Sequence, residues 1–145
     1  MTTIKQLSVF VQNQPGALAA VTDLLAKKNI DIRALSLAES ADYGILRMIV
    51  TDPDTALEAL QSENCLVKLT PVLAVVMDDA PGGMNATVKC LSDAGVSIEY
   101  AYAFILRKTD RACVIMRVND LDKAIAALNA ADTVGVLKED ELWGL

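Results

Sequence analysis

Two stretches decide how this chain is read: "NQPGAL" at 13–18 and "DAPGGM" at 79–84. Each follows an apolar, strand-like run, "LSVFVQ" in one case and "LAVVMD" in the other. Each is followed by apolar residues at helical spacing. A strand, a Pro-Gly corner and a helix are therefore written twice. Pro fixes φ near the value a turn needs, and Gly, with no Cβ, lets a neighbour approach the backbone closely.

The match extends outward from the corners. Leu7, Val9, Leu25 and Ile32 recur as Leu73, Val75, Leu91 and Ile98. Further on the register moves by two residues, so "TDPDTALEAL" (51–60) overlays "NDLDKAIAAL" (119–128). The two extra residues fall between the strands of a hairpin, where length changes are tolerated. The chain is a tandem duplication of about seventy residues per unit, too few copies for a solenoid. The division is expected at "LTPVL", giving units 1–70 and 71–145, because Pro71 suits a strand start or interruption.

Each unit reads β-α-β-β-α-β. "IKQLSVFVQ" and "VLAVVMD" alternate into first strands. Leu18, Val21, Leu24 and Leu25 form the apolar face of a first helix; Met84, Val88 and Leu91 are its counterparts. Lys27 and Lys28 suit the C-terminal end of the first helix, and Gly95 stops its copy. "DIRALSLAES" with "YGILRMIVT" makes one hairpin, and "SIEYAYAFILRK" with "RACVIMRVN" the other. Second helices span about Pro53 to Ser62 and Leu121 to Ala130, capped by Asp52 and Asp120. "CLVKL" and "TVGVL" close the units. The expected fold is α+β: two ferredoxin-like βαββαβ units packed side by side, each covering the other's open edge.

Composition narrows function. The 145 residues carry a formal charge of −6, with 13 basic and 19 acidic side chains. That disfavours nucleic acid and anionic membrane surfaces as partners. No run approaches the roughly 18 apolar residues of a membrane span, and no signal-peptide pattern opens the chain, so a cytoplasmic address is expected. There is no histidine. Cys65, Cys90 and Cys113 are scattered, so neither a zinc site, a His-based triad nor a cofactor is expected. The acidic pairs at 52/54, 78/79 and 120/122 read as caps and solvated turns before they read as metal ligands.

The order of elements, together with "QNQPGALAAVTDLLAKKNIDI" and "DDAPGGMNATVKCLSDAGVSI", resembles the ACT domain, and the whole chain is similar to a tandem ACT protein with no attached enzyme. Met84 stands where that family usually has Leu. The resemblance implies a non-catalytic regulatory module that binds a small amino acid between paired domains, with the loop after the first strand facing the effector's polar head. It carries that role to Asn13, Gln14, Pro15, Gly16, Ala17 and Leu18, and to Asp79, Ala80, Pro81, Gly82, Gly83 and Met84. Unpaired amides at a helix start suit a carboxylate, and Asp79 suits an ammonium. Tyr100 and Tyr102, sharing a strand face with Ile98 and Phe104, suit either sheet packing or one wall of the pocket. Ala34 and Ser36 take their places in the first unit, so the two pockets should differ. "KEDELWGL" reads as a terminal helix that docks Trp143, with a partner-binding tail as the alternative. A homodimer, or a complex with an enzyme of amino-acid metabolism, is expected from the apolar content. The rival expectation is a subunit that binds its enzyme without any metabolite.

Overall fold

A computed structural model of the chain describes residues 2–39, 42–106 and 110–144. The chain forms two compact units: one is Lys5–Thr70, and the other takes the chain from Pro71 onward with the residues before Lys5.

In the first unit the order is β1 (Ile4–Gln12), α1 (Ala17–Lys27), β2 (Ile32–Glu39), β3 (Tyr43–Val50), α2 (Pro53–Ser62) and the start of β4 (Val67–Asp78). The strands lie in the order β2-β3-β1-β4. The second unit uses the rest of β4, α3 (Gly83–Asp93), β5 (Ile98–Phe104), β6 (Arg111–Val118), α4 (Leu121–Asn129) and β7 (Gly135–Val136). Its order, β5-β6-β4-β7, is the same arrangement. β1–β3, β2–β3, β4–β6 and β5–β6 are antiparallel. Both units are βαββαβ ferredoxin-like folds. β4 continues through Pro71, so the chain passes between units inside a strand and not in a loop.

Alternation explains the cores. Leu7, Val9 and Val11 of β1 point to the face where Val21 and Leu25 of α1 and Leu60 of α2 land, and Leu46 and Met48 of β3 join them. Leu73, Val75 and Met77 meet Leu91, Met116, Val118 and Leu128 in the second unit. Leu25 and Leu91 are completely buried. Each such side chain contributes about 1.5–3 kcal/mol on leaving water.

The face of α3 differs from the expectation. Met84 and Val88 are exposed, and Thr87 is buried beside Leu91 in their place. Thr87 is tolerated because its hydroxyl donates to the Gly83 carbonyl at 3.2 Å. The tyrosine strand differs too. A register shift between Ile98 and Tyr100 puts Ile98 in the core, while Tyr100, Tyr102 and Phe104 pair with Arg117, Ile115 and Cys113 on the other sheet face. The extra residue of a bulge reverses the alternation. The same shift occurs between Ile32 and Ala34. The "TVGVL" strand shrinks to Gly135–Val136, extended by one bond from the Leu137 amide to the Ala74 carbonyl.

The end of the chain forms α5 (Glu139–Leu142), which buries Leu142 completely and sets Trp143 against Phe104 with ring centroids 6.4 Å apart. The hairpin tips, where the two extra residues fall, lie outside the described residues. Among the described residues no helix is long and apolar enough to cross a membrane.

The acidic pairs are largely accounted for. The Asp52 and Asp120 side chains accept from the amides of Thr55 and Lys123 at 3.1 and 3.0 Å. Asp54 pairs with Lys5 at 3.0 Å. The bond from Thr55 holds Asp52 below its usual carboxyl value of 3.8. Its contribution to stability is therefore present above that value and lost as pH falls through the lowered one. Asp120→Ala should destabilise by about 1 kcal/mol, and Asp52→Ala should act in the same direction with a flatter stability profile below the usual carboxyl value. Urea melts across pH check both. Burial pushes the Cys113 thiol up to about 12 from 9.0, so ionisation in the unfolded chain should erode stability as pH rises above 9.0. Iodoacetamide at pH 8.5 should label Cys113 only after unfolding; prompt labelling of the native chain would contradict this.

Candidate functional site: two Pro-Gly corners and their clefts

The corners are type II β-turns that open directly into helices. The Ala17 amide donates to the Gln14 carbonyl at 3.3 Å, and the Gly83 amide to the Ala80 carbonyl at 3.0 Å. Gly16 sits at φ 88, ψ −15 and Gly82 at φ 90, ψ −10. A type II turn asks for Pro at its second position and a left-handed residue, hence Gly, at its third. Pro15-Gly16 and Pro81-Gly82 meet that requirement. The glycines are thus explained by backbone conformation, before any ligand is considered.

The turns leave the helix starts uncapped: neither Gly16 nor Gly82 offers a side chain. The Ala20 and Ala86 amides already bond back to Gly16 and Gly82. The amides of Leu18 and Ala19, and of Met84 and Asn85, have no partner among the described residues. They are the positive ends of the α1 and α3 dipoles.

Asn13, Gln14, Pro15 and Gly16 are exposed, and Ala17 and Leu18 half-buried. Asn13, Gln14 and Leu18 come together with Leu37, Glu39 and Gly44 around a cleft of about 310 Å³. Gln14 and Ala17 also border a second cleft, about 500 Å³, along the other side of the corner. Its floor includes Ala20, Val21 and Leu60, and its rim carries Asp23, Lys27 and Glu63. Lys27 bonds Asp23 at 2.9 Å, which raises its pKa above the usual lysine value. The corresponding cleft in the second unit is smaller, about 290 Å³, and Ala80, Pro81, Gly82 and Gly83 line it with Asp78 and Thr133. Asp79 and Met84 are exposed and border none of these clefts; nor do the half-buried Tyr100 and Tyr102.

Glu39 and Glu63 escaped the sequence reading because they lie far from the motif in the chain, and Lys27 was read only as a charge at the helix end. Arg111 escaped it too. Its Nη2 donates to the Thr133 carbonyl at 2.9 Å, and its Nε lies 3.5 Å from Asp78. The repeat itself held the signal: Tyr43 stands at the matching position of the first unit.

The turn geometry sets the response to small substitutions. A Cβ at Gly16 or Gly82 meets nothing within 4 Å, so Gly16→Ala and Gly82→Ala should cost about 1–2 kcal/mol from the left-handed backbone alone. A Cβ at Gly83 would run into the Asp78 carbonyl. Gly83→Ala should therefore destabilise more than Gly82→Ala in denaturant melts, and a neutral Gly83→Ala would contradict this packing.

Comparison with known proteins places this geometry in a family. The chain matches the family described as "ACT domain pair" over residues 1–143. A crystal structure of a protein from Bacteroides thetaiotaomicron superposes with a TM-score of 0.91 at 40% identity, covering 99% of this chain and 98% of that one. The regulatory subunit of aspartate kinase from Thermus thermophilus shares the fold, with a TM-score of 0.63 at 20% identity over 88% of this chain and 92% of that one. In sequence, the chain is 32% identical over 94 residues to the acetolactate synthase small subunit of Mycobacterium bovis, covering 61% of this chain and 55% of that protein. The chain thus spans about half the length of that curated relative. By motif order, repeated fold and this match along nearly its whole length, the chain belongs to the ACT domain pair family.

Proposed function

We propose that this chain is a regulatory protein that binds a small α-amino acid at one or both Pro-Gly corners and controls an enzyme of amino-acid metabolism. It is not an enzyme; it acts by coupling ligand binding to a partner. The observation that carries the reading is the pair of uncapped helix starts. Each presents two unpartnered amides beside an Asx residue, in a chain of the ACT domain pair family. The amides suit the effector's carboxylate, and Asp79 suits its ammonium. The relative named as a small subunit of acetolactate synthase supports an enzyme partner. The proposed setting is the cytoplasm, with the chain as a homodimer or in complex with that enzyme.

One observation favours a second reading. Type II turn geometry explains both Pro-Gly pairs without a ligand. A subunit that binds its enzyme without any metabolite would keep the same turns.

Calorimetric titration with the twenty amino acids separates the two. Under the first reading at least one amino acid should give saturable heat and raise the melting temperature. Asp79→Asn should then weaken binding by roughly 1.5–3 kcal/mol, the worth of a charge-assisted hydrogen bond. Asn13→Asp should weaken it at the other corner by repelling the carboxylate. Absence of binding across the panel leaves the second reading. Binding that survives both substitutions keeps the regulatory role and moves its site. Light scattering tests assembly: a stable monomer at high micromolar concentration would contradict the homodimer.

A further inference from the structure

The two units share a backbone but differ at one edge. In the first unit, Phe10, Gln12, Tyr43, Asn64, Cys65 and Leu66 surround a cleft of about 530 Å³. Phe10 and Tyr43 are about half exposed and meet edge to face, with centroids 6.1 Å apart. Tyr43 pairs with Gln12 across β3 and β1. In the second unit the matching pair is Arg111 with Asp78, across β6 and β4. Cys65 corresponds to Thr133. There the Arg111 guanidinium spans the equivalent space, donating from Nη2 to the Thr133 carbonyl at 2.9 Å and lying 3.5 Å from the Asp78 carboxylate through Nε. The molecule therefore shows in one unit what fills the place left open in the other.

We propose that the first unit's cleft binds a guanidinium group brought by another molecule, with free arginine as the ligand. Its chemistry suits that group. Gln12 and Asn64 offer carboxamide oxygens as acceptors. Among the described residues no lysine or arginine lines the cleft to repel a cation. Phe10 and Tyr43 supply exposed rings, on which a planar, weakly hydrated guanidinium stacks better than an ammonium does. The formal charge of −6 draws cations toward the surface. Gln12 replaces the carboxylate of Asp78, so the rings and the two carboxamides carry the recognition. The site is separate from the amides of Leu18 and Ala19 and does not depend on an effector binding there.

Calorimetry and amide-resolved NMR with L-arginine, agmatine and L-lysine test it. The wild type should take up one L-arginine or agmatine per chain with saturation below about 1 mM, with shifts at Phe10, Gln12 and Tyr43, and should bind L-lysine more weakly. Tyr43→Arg places the chain's own guanidinium in the cleft, as Arg111 does in the other unit, and should abolish uptake. Tyr43 is a half-exposed residue, so that variant keeps the fold. Arg111→Tyr should open a second site. Phe10→Ala should weaken binding by roughly tenfold or less, the worth of one cation–π contact. Agmatine has no carboxylate to lie on the helix-start amides, so its uptake separates this cleft from the corners. Arginine capped by acetyl and methylamide groups distinguishes the source: loss of binding assigns the site to the free amino acid, and equal binding assigns it to an arginine side chain of a polypeptide, while both uphold guanidinium recognition. No saturable uptake of L-arginine or agmatine overturns the proposal, and so does uptake that Tyr43→Arg leaves intact.

Discussion

The left-handed backbone at Gly16 and Gly82 is the constraint on which both units rest. A strand that presents Leu7, Val9 and Val11 to one face is useful only if the next helix returns over that face. The return must be immediate, because α1 begins at Ala17, one residue after the turn's glycine. A type II turn makes the reversal in two residues, at the price of one positive φ. Pro15 fixes the first of these residues and Gly16 accepts the second. Val21 and Leu25 then land on β1, and in the second unit Thr87 and Leu91 land on β4. The uncapped amides at each helix start follow from the same device, since a residue chosen for its lack of a side chain has none to cap with. Fold and candidate site thus share one origin.

Duplication kept that device and let the surroundings diverge. Gly83 stands where the first unit has Ala17, and there the backbone comes close to the Asp78 carbonyl. Tyr43 and Gln12 stand where the other unit has Arg111 and Asp78, and the surface differs accordingly: an open aromatic cleft in one unit, a guanidinium spanning from strand to loop in the other. The clefts along the two corners differ in size for related reasons, since Gln14, Lys27 and Glu63 have Ala80, Asp93 and Ala131 as counterparts. Two copies of one fold therefore present different chemistry, which is why function has to be argued from each site and not from the ACT architecture alone.

How much of this was legible beforehand depended on range. The caps at Asp52 and Asp120 could be read directly, because a cap and the amide it serves lie three residues apart. So could the end of α3 at Gly95, whose φ of 73 has its counterpart in Asn29 at 57. The bulge after Ile98 could not. It is set by pairing with β6, and it moves Tyr100 and Tyr102 off the face that simple alternation gives them. Nor could the outward turn of Met84 and Val88: several stripes on a helix satisfy the same spacing, and contact with the sheet selects among them. Corner residues were found by their motif, whereas Glu39 and Glu63 border the same clefts through chain return alone.

The sequence by itself determined the repeat, the βαββαβ order, the Pro-Gly corners and the helix caps. These are local matters of φ, ψ and hydrogen bonds within a few residues, or of a pattern long enough to be seen twice. Tertiary structure alone decided which side chains share a cleft and which stand exposed. It also decided what occupies the edge beside Tyr43 and Arg111. Those outcomes depend on strand register, where one extra residue reverses every side chain beyond it, and on contacts between segments that the chain separates by dozens of positions.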